Sequence, residues 1–246
     1  MGAGAEKILP YNNEEQKGEQ IERMFNSISP KYDLLNHTLS LGFDKGWRRK
    51  GINYLKPFRP GFILDIATGT GDLAISMCKT LQAERIIGAD ISEGMMQIGR
   101  EKAEQAGYAG QILFEKQDCL ALTYPDNTFD AVTAAFGIRN FENIGKGLAG
   151  MYRVLKPGGH VMILELSSPV KFPMKQLYKL YSGIVIPQVG KFFSKDKKAY
   201  HYLPASIRVV PQGKEMQKLL EEQGFTDVHA KTFTGGICSL YTGKKG

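Results

Sequence analysis

The stretch Ile63-Leu64-Asp65-Ile66-Ala67-Thr68-Gly69-Thr70-Gly71-Asp72-Leu73-Ala74 decides the fold. An apolar run over 62–66 ends beside a carboxylate, and 68–71 is a glycine turn. Leu73, Met77 and Leu81 then recur at helical spacing through 72–83. Glycines in such a strand–turn–helix unit let the backbone approach a ligand, and the free N–H groups of the helix start face it. Gly69-x-Gly71-x-x-Ala74 also fits the dinucleotide fingerprint. The turn alone therefore leaves the nucleotide open.

Outward from this unit the alternation continues. Strands are expected at 85–89, closed by Asp90, at 112–116, followed by Asp118, at 129–135 and at 160–166. Helices are expected at 95–106 and 144–155, and a Lys-Pro-Gly-Gly turn at 156–159. Strands separated by helices of this length call for a parallel sheet with right-handed crossovers. Beyond it, 215–224 reads as a helix ending at a glycine. The strands 228–233 and 237–242 are joined by Thr234-Gly235-Gly236, a hairpin signal. Upstream, Ile21, Met24, Phe25 and Ile28 have helical spacing, and the PFRPG segment at 57–61 breaks it.

The composition agrees. The chain has 246 residues, 42% hydrophobic and 23% charged, which excludes a collagen, a coiled coil or a mainly disordered chain. No apolar run is long enough to span a bilayer, and the N-terminus has no secretory signal pattern. The three cysteines, Cys78, Cys119 and Cys238, are odd in number and match no zinc spacing, and the four histidines are scattered. A cytoplasmic protein without structural disulfides or a metal site is expected. The organisation is one domain over 1–246. It comprises a loose polar lead-in (1–20), an N-terminal helical lid (21–56), a cofactor-binding core (57–168), an insertion (169–205), and a C-terminal helix and hairpin (206–246).

Three acids narrow the cofactor. Asp90 ends the second strand, where a carboxylate accepts both ribose hydroxyls of an adenosine; Ser92 is free to cap the next helix in its place. Asp118, beside Cys119, suits an adenine amine. Asp65 and Asp72, flanking the glycine turn, would repel a pyrophosphate and attract a sulfonium or ammonium. This favours S-adenosylmethionine over NAD.

These features together resemble a class I S-adenosylmethionine-dependent methyltransferase. Two segments narrow the likeness. Tyr32-Asp33-Leu34-Leu35-Asn36, with Ser40 and Trp47, resembles one signature of the ubiquinone/menaquinone biosynthesis C-methyltransferase family. The second signature is matched by Arg153-Val154-Leu155-Lys156-Pro157-Gly158-Gly159, running on to Glu165 and Ser167. Phe136-Gly137-Ile138-Arg139-Asn140 also matches the family. Three positions depart from its pattern. Asp44 stands where a histidine is usual, Leu35 where methionine is common, and Ala67 where many methyltransferases carry glycine.

The resemblance implies a Rossmann-like, mostly parallel seven-stranded sheet of order 3-2-1-4-5-7-6, strand 7 antiparallel, with helices on both faces. It implies C-methylation of a membrane-embedded prenylated quinol, with demethylmenaquinol preferred. A ubiquinol precursor, another small phenolic or lipid acceptor, and a non-catalytic module of a quinone-synthesis complex are the alternatives. Carried over by position, cofactor contacts fall on Thr70, Asp90, Asp118, Cys119 and Ala135. Met95 would pack on the adenine, and Asp65, Gly69 and Gly71 form the turn. A ring carbon is nucleophilic only beside a phenolate, so a group that polarises the quinol hydroxyl is required. Arg139 and Asn140, just past the fourth strand, are the candidates, with Tyr32 completing the pocket.

Between residues 171 and 202 lie seven lysines and one acid, Asp196, interleaved with aromatic residues such as Tyr178, Tyr181 and Tyr202. This strip suits peripheral contact with an anionic membrane, led by Lys191, Lys195, Lys197 and Lys198. A nucleic-acid partner is not expected, and a homo-oligomer is left open.

Overall fold

The computed structural model describes residues 4–11, 15–185 and 197–246. Seven strands build one sheet: β1 (Phe62–Ile66), β2 (Arg85–Asp90), β3 (Ile112–Lys116), β4 (Phe129–Ala135), β5 (Leu155–Leu166), β6 (Phe225–Phe233) and β7 (Cys238–Lys245). Their order is β3-β2-β1-β4-β5-β7-β6. The pairings from β3 through to β5 are parallel, and β7 runs antiparallel to both β5 and β6. The expected sheet order and the antiparallel final strand are both present.

Alternation along the central strands sorts the core onto two faces. Leu64, Val132 and Ile163 pack with Ile144, Leu148 and Met151 of helix α6 (Ile144–Val154) and with Leu220 of α9 (Lys214–Glu222). Ile63, Ala131 and Met162 face the other way. They meet Ile52 of α3 (Phe43–Leu55), Met77 of α4 (Asp72–Leu81) and Met96 of α5 (Glu93–Gln105). The turn expected at 156–159 lies inside β5. Leu155 pairs with Phe129 and His160 with Ala131, so the intervening residues bulge out of the ladder, and Gly158 takes a φ of +78° there.

A third cluster joins the lid to the insertion. Ile21 and Met24 of α1 (Lys17–Ile28), Leu35 of α2 (Tyr32–Leu39) and Tyr202 of α8 (Lys197–Val209) are buried together. Helix α1 begins inside the segment expected as a loose lead-in. Its first residue, Lys17, is buried, and its Nζ donates to the carbonyls of Phe141 (3.2 Å) and Arg139 (3.5 Å). A polar residue is thus drawn inward by backbone acceptors that would otherwise lack partners. In the insertion, α7 (Met174–Leu180) continues as a π-turn over Tyr181–Val185. Lys191 and Lys195 lie outside the described residues, as do the side chains of Lys197 and Lys198. Among the described residues no helix is long and apolar enough to cross a membrane.

Candidate functional site

At the carboxyl ends of β1, β2 and β4, where open α/β sheets bind ligands, lies a cavity of 320 Å³, within the range of small-molecule sites. Its floor is the β1–α4 turn with Ala67 and Gly69. Asp90, Met95, Asp118, Cys119 and Ala135 line its sides. Helix α1 roofs it: Gly18, Glu22 and Phe25, spaced by four and three residues, present one face to the cavity. Asn26 fastens that roof by accepting from Ser92 Oγ (2.8 Å) and from the Gly94 amide (2.9 Å) at the start of α5.

Asp90 is held by its neighbours before any ligand arrives. Its Oδ2 accepts from the Gly69 amide at 2.8 Å, its Oδ1 from the Ser92 amide at 2.9 Å. Burial raises its pKa, against these amides. An ionised carboxylate has about four acceptor sites, so acceptor capacity remains for the hydroxyls of a ribose. Ser92 caps α5, its hydroxyl accepting from the Met95 amide. Met95 is buried, and its Cε would lie 3.3 Å from a Cβ at Gly69. A side chain there would push into the wall on which an adenine would rest. Burial, with Asp118 and Asp90 nearby, drives the Cys119 thiol pKa up, so it stays protonated. Asp118 is exposed at the rim, its Oδ1 accepting from the Leu120 amide.

Asp65, Thr70 and Gly71 do not line the cavity. Asp65 lies beneath the turn, where both oxygens accept hydroxyls, from Thr133 and Thr68, at 2.7 Å. Burial pushes its pKa up to about 6. Thr70 is buried and turns away from the cavity, donating to Asp33 Oδ1 (2.6 Å). Gly71, at φ +75°, packs where a Cβ would meet the Phe114 ring at 2.8 Å. The electrostatic argument for a cationic ligand therefore changes its residues. Asp72 is neutralised by Lys102 (2.5 Å) and Arg48 (3.3 Å), which outweigh burial and hold its pKa low. The acidity comes instead from Glu19, Glu22, Asp90, Asp118 and Glu142, against one lining lysine, Lys116, which pairs with Glu22 at 2.6 Å. Such a wall suits a sulfonium or ammonium and opposes a pyrophosphate.

Ala67 sits at φ +53°, in the left-handed region that a glycine would take without strain. Gly137 makes room for it: a Cβ at 137 would stand 2.5 Å from the Ala67 Cβ.

Tyr32, Phe25 and Asn140 border this cavity and also a second void of 50 Å³. Apolar side chains such as Met24, Leu35 and Leu39 surround that void, with Asn36, Arg139 and Tyr202 supplying polar groups. Arg139 is 6% exposed and donates from Nη1 to Glu165 Oε1 (2.9 Å) and to the Phe136 carbonyl. Burial works against its charge, but Glu165 together with Tyr32 and Tyr202 more than offsets it and raises its pKa. Arg139 Nε is buried without a hydrogen-bond partner among the described residues. Burial raises the Tyr32 pKa, against Arg139 and the Asn36 hydrogen bond.

The Asp44 departure is absorbed by a charged network outside the cavities. Asp44 accepts from His37 Nδ1 (2.8 Å), Ser40 Oγ (2.6 Å) and Arg48 Nη1 (2.5 Å). His37, Asp44 and Asp72 come together as metal ligands might, but the Arg48 guanidinium already spans both carboxylates. With Asp33–Lys102 (2.5 Å), this network clamps α2 and α3 onto α4 and α5.

Glu165 as the partner of Arg139, Lys17 beneath its carbonyl and the hydroxyl of Tyr202 were not legible in the sequence; a helical lid was expected over 21–56, and its first helix starts earlier, at Lys17, which brings Gly18 over the cavity as well. Only the roof carried a signal, because the spacing of Gly18, Glu22 and Phe25 already placed them on one helix face.

The model of the ubiE/COQ5 methyltransferase family matches residues 12–245. A demethylmenaquinone methyltransferase of Bacteroides fragilis is 58% identical over 245 residues, covering 100% of both chains. The UbiE ubiquinone/menaquinone biosynthesis C-methyltransferase of Geobacter sulfurreducens is 44% identical, covering 98% of this chain and 93% of its own. Among solved structures, an S-adenosylmethionine-dependent methyltransferase of Thermotoga maritima, described as a possible histamine N-methyltransferase, superposes with a TM-score of 0.61 at 17% identity. That match covers 91% of this chain and 99% of the other, and at such identity it speaks for the fold alone.

Proposed function

Because the chain belongs to the ubiE/COQ5 methyltransferase family, we propose that it methylates a ring carbon of demethylmenaquinol, with S-adenosylmethionine as the donor. The observation that carries this reading is the pair of adjoining cavities with shared walls at Tyr32, Phe25 and Asn140. One is acidic and fits an adenosine; the other is apolar and is lined by a buried guanidinium with an N–H that no described residue accepts from.

The larger cavity fits the donor by its groups. Asp90 keeps acceptor sites for the ribose, Met95 and Leu122 offer an apolar wall, and the carboxylates favour a positive sulfur. S-adenosylmethionine, when bound, supplies an electrophilic methyl group. The protein must make the ring carbon nucleophilic and aim it. Arg139 lines the smaller cavity, and its Nε–H is buried with no acceptor among the described residues. There it stabilises negative charge on a quinol oxygen, which raises electron density at the neighbouring carbon. Glu165 keeps Arg139 in place, accepting from its backbone amide (3.0 Å) as well as its guanidinium. Tyr32 and Asn140, on both walls, orient the ring toward the donor.

At about 50 Å³ the smaller void is too small for a bicyclic ring as it stands. A bicyclic ring therefore enters only when α1, α2 or α8 shifts. The prenyl tail would stay in the bilayer, and the described part of the insertion suits that surface. No residue of α7 is buried, and Leu177 and Leu180 are exposed beside Lys171, Lys175 and Lys179.

The test is a quinone profile by mass spectrometry of a host lacking this protein. A menaquinone lighter by one methylene unit, restored by the wild-type chain, supports the reading. An unchanged menaquinone, or a lighter ubiquinone alone, overturns it.

A further inference from the structure

Tyr202 comes from α8, within the insertion that sequence reasoning assigned to a membrane strip. It is 5% exposed and packs with Ile21, Met24 and Leu35. A phenylalanine would satisfy that packing. The phenol hydroxyl instead donates to Asn140 Oδ1 at 3.2 Å. Its partner is no backbone group but a side chain that borders both cavities. Burial raises the phenol pKa, so Tyr202 acts as the donor. The Asn140 carbonyl is thereby engaged, which leaves the amide N–H groups as what this side chain can offer a ligand. Helix α8 also packs directly on the 3₁₀ turn Ile138–Asn140 that carries Arg139 and Asn140.

We propose that Tyr202 is a positioning residue for methyl transfer: its hydroxyl sets the Asn140 amide, so that the insertion helix completes the acceptor pocket. This rests on the reading of the smaller cavity as the acceptor site. The donor cavity does not include Tyr202, so donor binding should be indifferent to it. An amide free to rotate would hold the acceptor ring in several orientations, of which few align with the methyl group.

The experiment compares Tyr202→Phe, Asn140→Ala and the double variant in the full chain, with a short-chain demethylmenaquinol. S-adenosylhomocysteine affinity is measured by calorimetry. Tyr202→Phe should lower kcat by about tenfold and shift KM and S-adenosylhomocysteine affinity by less than about threefold. In the Asn140→Ala background the same change should cost less than about twofold, because the group it positions is gone. Tyr181→Phe, which removes the insertion hydroxyl that donates to the Leu39 carbonyl, controls for loosening of the insertion and should leave kcat near wild type. Three results overturn the proposal: wild-type kcat in Tyr202→Phe, losses that multiply in the double variant, or an equal loss in Tyr181→Phe. An inactive wild type would instead refute the choice of acceptor.

Discussion

Arg139 neutralises Glu165 and, in the proposed mechanism, offers its unpartnered Nε–H to the quinol, and two substitutions separate these duties. The Glu165 side chain is 2% exposed and its ion pair with Arg139 measures 2.9 Å. Arg139→Ala leaves that carboxylate buried and unpaired, which costs about 3–5 kcal/mol. At about 2–4 °C per kcal/mol for a chain of this size, Tm should fall by roughly 6–20 °C. Lost activity in that variant would confound stability with chemistry. Arg139→Lys keeps a cation within reach of Glu165 and removes the Nε–H. It should melt within about 4 °C of wild type, a cost near 1 kcal/mol. Its kcat should drop about 10²-fold, the scale set by losing one preorganised donor to a developing oxyanion. Thermal denaturation, S-adenosylhomocysteine calorimetry and steady-state methyl transfer on a soluble quinol report the three quantities. The reasoning fails if Arg139→Lys keeps more than half the wild-type kcat, or if Arg139→Ala melts with wild type.

Asp90→Asn should weaken S-adenosylhomocysteine binding at least about tenfold, because two ribose hydroxyls exchange a charged acceptor for a neutral one; an unchanged dissociation constant would remove Asp90 from the site. Gly137→Ala places a Cβ 2.5 Å from that of Ala67 and should destabilise by about 1–3 kcal/mol. Ala67→Gly should restore most of that loss and relieve its own positive φ, so additive denaturant midpoints would contradict the contact. Asp65 has a folded pKa of about 6, above the unfolded value near 3.9. The folded state therefore holds this proton more tightly, and stability is lost as pH rises from about 4 to about 6, roughly 3 kcal/mol in all. Asp65→Asn should lack this component, gaining on wild type between pH 4.5 and 7 in urea denaturation; a pH-independent difference would refute it.

The strands were legible because buried parallel strands are short apolar runs with sharp ends. Phe62–Ile66, Ile112–Lys116 and Phe129–Ala135 each follow a glycine or polar residue, Gly61, Gln111 and Thr128, and fold with the expected limits. The hairpin after Phe233 was readable from Thr234-Gly235-Gly236. Polar residues that turn inward were not legible. Lys17 and Gln20 are buried within a segment whose composition resembles solvent-facing chain. Arg139 could be placed at the end of β4, but its buried partner Glu165 lies on another strand. Thr70 and Asp72 stand in the turn sequence that suggests ligand contact, yet Asp33, Lys102 and Arg48 from other helices draw them away. Periodicity reports which face of an element is apolar, and which charge meets which is settled by tertiary pairing. Tyr202 shows the same limit: its spacing is that of a core aromatic, and only the nearness of Asn140 gives its hydroxyl a role.

A buried guanidinium and a positioned ring, in the proposed mechanism, direct the methyl group to carbon. Purified protein should be incubated with S-adenosylmethionine carrying a carbon-13-labelled methyl group and a short-chain demethylmenaquinol, and the product read by nuclear magnetic resonance. One labelled methyl carbon bonded to the ring carbon next to a hydroxyl is expected. Label found as an O-methyl ether, or absent from the quinol while the cofactor still binds, would contradict it.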